Sequence, residues 1–212
     1  MTELLNNFQV EAKERLKEKS VLLVRHGETT ANANGVLVED PILTGMGERQ
    51  ARETGFKLRS LNNRVLVHTG LRRTLRTAEL IKESGGIEGE LVKNELLRER
   101  KIGKLEGLNF KWLLERYSEI KEAAERHRGS SIWLVEDELM GLEPVESMYK
   151  RVIKGISEVV DLSQQPCVVV CHSGTIKMLK AFKEGCKGDR DSLLKYLLGE
   201  VPTPGSVKEM NF

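Results

Sequence analysis

Two histidines are the residues best placed to do chemistry in this chain, because each follows a run of branched apolar residues and precedes a glycine. Val21-Leu22-Leu23-Val24 ends in Arg25-His26-Gly27, and Cys167-Val168-Val169-Val170-Cys171 ends in His172-Ser173-Gly174. A third run, Val65-Leu66-Val67, is followed by His68-Thr69-Gly70 and then Arg72-Arg73. A neutral imidazole is a competent nucleophile towards phosphorus. The planar guanidinium fork suits phosphate oxygens, and cations around the reacting centre stabilise charge on the oxygens in transfer. Gly27 and Gly174 let backbone come close to a ligand. A helix starting near Gly174-Thr175 would aim free N–H groups at an anion. The set points to phosphoryl transfer through a phosphohistidine. Taken singly the pieces are weaker: Arg-His-Gly after a strand is often a plain turn, and Arg72, Arg73 and Arg76 could form a solvated helix face. The joint arrangement carries the reading.

Such residues need elements to bring them together. Continuous β-branched runs without alternation predict strands buried on both faces, over 21–24, 65–67 and 167–171, with a weaker run at Ser206-Val207. Between them the periodicity predicts helices at about 45–60, 72–84, 108–128, 145–162, 174–184 and 190–198. Strands alternating with helices imply an α/β fold with a mainly parallel sheet, whose ligands bind outside the carboxyl ends of the strands. Residues 2–18 read as an amphipathic helix, either a packing helix or a dimer contact, so a homodimer is one expectation. Residues 104–145 hold no strand-like run and read as a helical cap over the site. The domain expectation is a single unit over 1–212.

The 212 residues include 34 Lys and Arg against 32 Asp and Glu, a net charge of +2. That balance gives no electrostatic case for nucleic-acid binding. No apolar run approaches the ~20 residues of a membrane span, and the charged N-terminus lacks the pattern of a secretory signal. Cys167, Cys171 and Cys186 have no metal-ligand spacing and read as reduced thiols of a cytoplasmic protein. No carboxylate cluster stands at metal spacing, and no cofactor is expected. Gly45-Met46-Gly47 follows Leu43-Thr44 rather than a strand, and is no dinucleotide loop.

Val21 to Thr29, with Asn32 beyond, resembles the Arg-His-Gly-x-Thr-x-x-Asn signature of the histidine phosphatase superfamily, also called the phosphoglycerate mutase-like family. Leu43-Thr44-x-x-Gly47-x-x-Gln50-Ala51, the stretch Thr69 to Ala78 with Arg73, Leu97-Arg98-Glu99, Glu146-Ser147 with Arg151, and His172 follow in the family's order over 21–210. The resemblance implies a three-layer α/β/α sandwich and definite roles. His26 would carry the phosphoryl group; Arg25, Arg73 and His172 would bind its oxygens; Glu99 would protonate the leaving alkoxide and then help activate water. Asn32 and Ser173, the latter where many relatives have Gly, would contact the substrate, a small phosphorylated metabolite. The family needs no metal. Val36, Val38 and Glu39 depart from the polar, glycine-containing stretch that relatives carry between Asn32 and Leu43, in a segment shorter than most of theirs.

Glu99-Arg100 resembles the Glu-Arg-x-x-Gly segment of phosphoglycerate mutases and some fructose-2,6-bisphosphatase-like enzymes, where the Arg binds a second anionic group. Arg100 takes that place here, or else it is an exposed charge. Ile102 stands where mutases have Tyr, and Phe110 displaces their Lys by one position. Little tail follows Val201-Pro202 to close the site against water, which a mutase requires. The expected activity is therefore a phosphatase, with a 2,3-bisphosphoglycerate-dependent mutase as the alternative. Trp112, Tyr117, Arg126, Arg128 and Trp133 of the cap are candidate specificity residues.

Overall fold

The computed structural model describes residues 2–61, 64–116, 131–135, 140–162 and 167–212. In chain order its regular elements begin with α1 (Thr2–Leu16), β1 (Ser20–Arg25), α2 (Thr30–Asn34), α3 (Gly45–Leu58) and β2 (Leu66–His68). Next come α4 (Arg72–Gly85), β3 (Leu91–Lys93), α5 (Phe110–Arg116), α6 (Val145–Val159), β4 (Cys167–Cys171), α7 (Ser173–Lys183), α8 (Arg190–Leu197) and β5 (Val207–Asn211). The strands form one sheet in the order β3-β2-β4-β1-β5. The first four are parallel and β5 runs antiparallel along β1.

The unbroken apolar runs are explained by the two cores they divide. Cys167, Val169 and Cys171 of β4 face one core, shared with Leu16 of α1, Ile153 of α6, Leu179 of α7 and Leu193 of α8. Val168 and Val170 face the other, with Leu58 of α3 and Ala78 and Ile81 of α4. Every side chain of β4 is buried, so alternation is impossible and the strand reads as a continuous hydrophobic run. Helix, sheet, helix is the three-layer sandwich expected.

A third, smaller cluster unites Leu105, Leu113, Val135 and Leu142 with Leu37 and Ile102. It belongs to the excursion after β3, whose helical pieces among the described residues include α5 and 3-10 turns at Glu95–Leu97, Gly103–Leu105 and Ser131–Leu134. Most of the helix predicted over 108–128 lies outside those residues. Two differences concern strands. The sequence pattern does not predict β3, and the expected Ser206-Val207 strand is a five-residue antiparallel edge. Of the two readings of α1, packing is what the structure displays: Ala12 and Leu16 are buried in the first core.

Candidate active site

The parallel strands deliver their carboxyl ends to one edge, and the site is built there. β1 ends at Arg25 and hands on His26; its neighbour β4 hands on His172; on the far side of β4, β2 leads to Thr69 and into α4, which carries Arg73. The first turn after β1 is held by close backbone packing. A Cβ on Gly27 would lie 2.2 Å from the Gly47 carbonyl oxygen, so α3 could not approach β1 past a side chain. Gly27 N–H donates to Thr77 Oγ1 of α4 at 3.2 Å.

His26 is 6 % exposed, and its ring centroid lies 5.3 Å from that of His172. His26 Nδ1 is 2.8 Å from the Gly27 carbonyl oxygen. A carbonyl only accepts, so the proton sits on Nδ1 and the Nε2 lone pair of the neutral ring is left for chemistry. Burial, then the charges of Arg73 and Arg25, hold the imidazole well below its ordinary pKa, against a smaller opposing effect of the Gly27 carbonyl.

His172 is fully buried and its protons can be followed along a chain of hydroxyls. Thr74 Oγ1 lies 2.9 Å from the Leu71 carbonyl oxygen, which has no hydrogen to give, so Thr74 donates. Thr69 Oγ1, 2.9 Å from Thr74 Oγ1, must then donate to it. His172 Nε2, 2.9 Å from Thr69 Oγ1, must in turn be the donor to Thr69. Nδ1 is left buried without a hydrogen-bond partner among the described residues. Burial, Arg73, His26, Arg151 and Arg25 push this pKa well down too, so the free ring is neutral and Nδ1 carries a lone pair.

The arginines are anchored through carbonyl oxygens. Arg73 donates to Glu39 O at 2.5 Å and faces Asp40 at 3.9 Å; burial above all brings its pKa down to about 10. Arg25 donates to Pro202 O. The segment after α8 thus supplies a partner for Arg25 and, through Val201, part of the cavity wall.

Glu99 accepts from Gly174 N–H at 2.9 Å and from Arg100 N–H at 3.1 Å. The acceptor at the first turn of α7 is therefore the chain's own Glu99 side chain, where sequence reasoning placed a ligand. Behind Glu99 stands Arg151 of α6, all five of whose N–H groups are in use. Two reach Glu143 at 2.5 and 2.7 Å, and the others reach the carbonyls of Leu96 and Arg98 at 2.7 Å and of Glu99 at 3.1 Å. Arg100 is 5 % exposed, not a surface charge. Its Nε donates to Glu143 O at 2.7 Å and its guanidinium lies 5.4 Å from the Trp133 ring centre.

Arg25, His26, Arg73, Glu99, Asn32, Arg100 and Ser173 all line one cavity of about 250 Å³, with His172 buried beside His26. Asn32 Oδ1 is occupied in capping α2, accepting from Thr29 N at 3.1 Å and Thr29 Oγ1 at 2.9 Å, so its amide N–H groups are what it can offer a ligand. Trp133 lines the cavity, Trp112 is 42 % exposed, and Tyr117, Arg126 and Arg128 lie outside the described residues. Sequence reasoning missed Lys177, buried in the same wall with its pKa brought to about 8, chiefly by burial. A larger cavity of about 490 Å³ shares Lys177 but is lined by neither histidine nor arginine, so the chemistry belongs to the smaller one.

The family model of the histidine phosphatase superfamily (branch 1) matches residues 21–190. The chain belongs to the histidine phosphatase superfamily. A curated relative from Salmonella paratyphi A, named "Probable phosphoglycerate mutase GpmB", is 32 % identical over 174 residues, 77 % of each chain. The solved structure of TTHB049 from Thermus thermophilus is 30 % identical with a TM-score of 0.61, covering 91 % of this chain and 94 % of that one. The mycobacterial glucosyl-3-phosphoglycerate phosphatase, solved with VO3, superposes at a TM-score of 0.70 over 90 % of both chains; at 21 % identity it shows the fold alone. Members of the superfamily are phosphatases or mutases, and the choice between them is not made by the fold.

Proposed function

We propose that this member of the superfamily is a metal-independent phosphatase that hydrolyses small phosphorylated metabolites through a phosphohistidine on His26. The observation that carries the reading is the hydrogen bond from His26 Nδ1 to Gly27 O, which leaves Nε2 as a lone pair inside a ring of cations. In the first half-reaction Nε2 attacks phosphorus and the bond from phosphorus to the ester oxygen breaks. Arg25, Arg73 and His172, which takes a second proton on Nδ1 as the anionic phosphoryl group binds, hold the three remaining oxygens, and Glu99 gives its proton to the leaving alkoxide. In the second, Glu99 takes a proton from water, the hydroxide attacks phosphorus, the P–N bond breaks and neutral His26 returns. Arginines in a partly dry site supply the positive charge this transfer needs.

The test is release of inorganic phosphate from p-nitrophenyl phosphate and a panel of phosphorylated metabolites, with a chelator present. Phosphate release that persists with chelator and disappears in His26→Ala supports the proposal, and intact-mass detection of a phosphorylated enzyme in rapid-quench samples would identify the intermediate. Normal turnover by His26→Ala sinks it. The names of the curated relatives favour a second reading, a 2,3-bisphosphoglycerate-dependent phosphoglycerate mutase. Interconversion of phosphoglycerates with little free phosphate would replace the phosphatase by that mutase.

A further inference from the structure

Resting on the phosphatase reading, we infer that the leaving alcohol this cavity takes is compact and apolar, an aryl or branched alkyl group rather than one bearing a second anion. The cavity's lining is of two kinds. Arg25, His26, Arg73 and Glu99 are the groups that would hold the phosphoryl group, and Val36, Leu37, Val38, Pro41, Ile102 and Leu142 form the apolar part of the wall. Leu37, Ile102 and Leu142 belong to the small hydrophobic cluster of the excursion, so this wall is the outer face of a core and cannot readily turn away. Val36 and Val38 are half-buried and belong to no hydrophobic cluster among the described residues. Their apolar surface faces the cavity and is covered only when something apolar enters it.

The backbone of this loop is fixed. Leu37 N–H donates to Leu108 O at 2.9 Å and Gly107 N–H donates to Leu37 O at 2.7 Å, tying it to the excursion on both sides. The main-chain groups of Leu37 are thus committed to protein partners. Arg100, which also lines the cavity, is held by the Glu143 carbonyl and the Trp133 ring, with the charge of Arg190 acting on it besides those of Glu143, Glu99 and Glu146. A carboxylate or second phosphate placed against Val36, Val38, Pro41 and Leu142 would meet side chains that carry no donor and would lose hydration without replacement there. The volume of about 250 Å³ lies near the lower end of the ~300–1,000 Å³ common for drug-sized ligands, which suits a compact group.

Two measurements on the full chain test this. In the first, kcat/KM is determined for methyl, ethyl, propyl, isobutyl and phenyl phosphate beside 3-phosphoglycerate and glycerol 3-phosphate. In the second, calorimetry measures binding of the matching alkylphosphonates, which cannot turn over. About a fourfold gain per added methylene is expected in both series until the cavity is full, with the two polar esters below propyl phosphate. Val36→Asn and Val38→Asn should each shrink the gain from methyl to propyl. A flat phosphonate series, or 3-phosphoglycerate preferred over propyl phosphate, overturns the inference. Phosphonate affinity that climbs with chain length while no ester releases phosphate upholds the apolar site and overturns the phosphatase.

Discussion

At the scale of single residues, the hydroxyl chain ending on His172 makes a prediction of its own. Because the Leu71 carbonyl can only accept, the chain Thr74, Thr69, His172 runs in one direction and ends on a donor N–H at Nε2. Such a chain stabilises the ring best when it is cationic, with a second proton on Nδ1 for a phosphoryl oxygen. Thr74→Val removes the anchor and lets Thr69 turn its own hydrogen towards Nε2. A hydrogen bond to a charged group contributes ~1.5–3 kcal/mol, so kcat/KM should fall at least tenfold, and Thr74→Ser should restore it. The ring nitrogens of His172, followed by NMR in the presence of phosphate, should show Nδ1 less readily protonated in the valine variant. Equal behaviour of wild type and Thr74→Val would mean the chain has no such role. His26, Arg25, Arg73, Glu99 and His172 each stood out in the sequence as candidates, because they sit in motifs at strand ends, and the structure brings them together. Thr74 did not: its partners, Leu71 and Thr69, matter only once β2 and α4 have folded.

Among elements, α6 reaches across to position a segment that begins in a short 3-10 turn, Glu95–Leu97, and then runs on as loop. The segment 96–99 is held by Arg151, whose side chain is 19 % exposed and paired with Glu143 at 12 %. Removing one partner of a buried pair commonly costs ~3–5 kcal/mol. Arg151→Gln is expected to lower unfolding stability by about 3 kcal/mol and to reduce kcat more than it raises KM, since Glu99 loses its backbone anchor. Denaturant unfolding beside steady-state kinetics checks both. Gly174→Ala tests the other side of the same carboxylate. A Cβ there would stand 2.2 Å from Glu99 Oε1 and 2.7 Å from the Trp133 ring, so turnover should drop by at least a hundredfold while the circular dichroism spectrum holds. Element legibility followed burial. β4, covered on both faces, announced itself; β3 is three residues, Leu91-Val92-Lys93, half-exposed beside Glu90 and Asn94, with too little apolar pattern to stand out. β5 mixes Lys208 and Glu209 with Val207 and Met210 because one edge strand faces water.

For the molecule as a whole, two buried neutral histidines make stability depend on pH in a definite direction. Both pKa values lie well below the ~6.5 of an unfolded histidine. Above about pH 6.5 neither state binds the protons and this contribution to stability is complete. As pH falls below that point the unfolded chain takes up protons that the native chain refuses, so stability declines. The slope is up to ~1.4 kcal/mol per pH unit for each histidine. Thermal melts between pH 7 and 5 should show the decline, His26→Gln should halve its slope, and a flat profile would contradict the buried neutral pair. The three layers were visible in the alternation of strand and helix, whereas the cavity's apolar wall was not. It is formed by the 36–38 loop meeting the excursion through Leu37 and Leu108, and no local pattern announces a meeting across some 70 residues.

The first arginine of the site depends on residues about 180 positions further along the chain. Arg25 N–H donates to Ser206 O, Arg25 O accepts from Gly205 N–H, and the guanidinium reaches Pro202 O. During synthesis β1 and β4 can pair before those residues emerge, whereas the surroundings of Arg25 cannot form. Contacts of such separation form slowly, because the chain between must first be ordered. A nascent chain could thus hold its parallel sheet through β4 while the candidate site stays unfinished until residues 202–206 have left the ribosome.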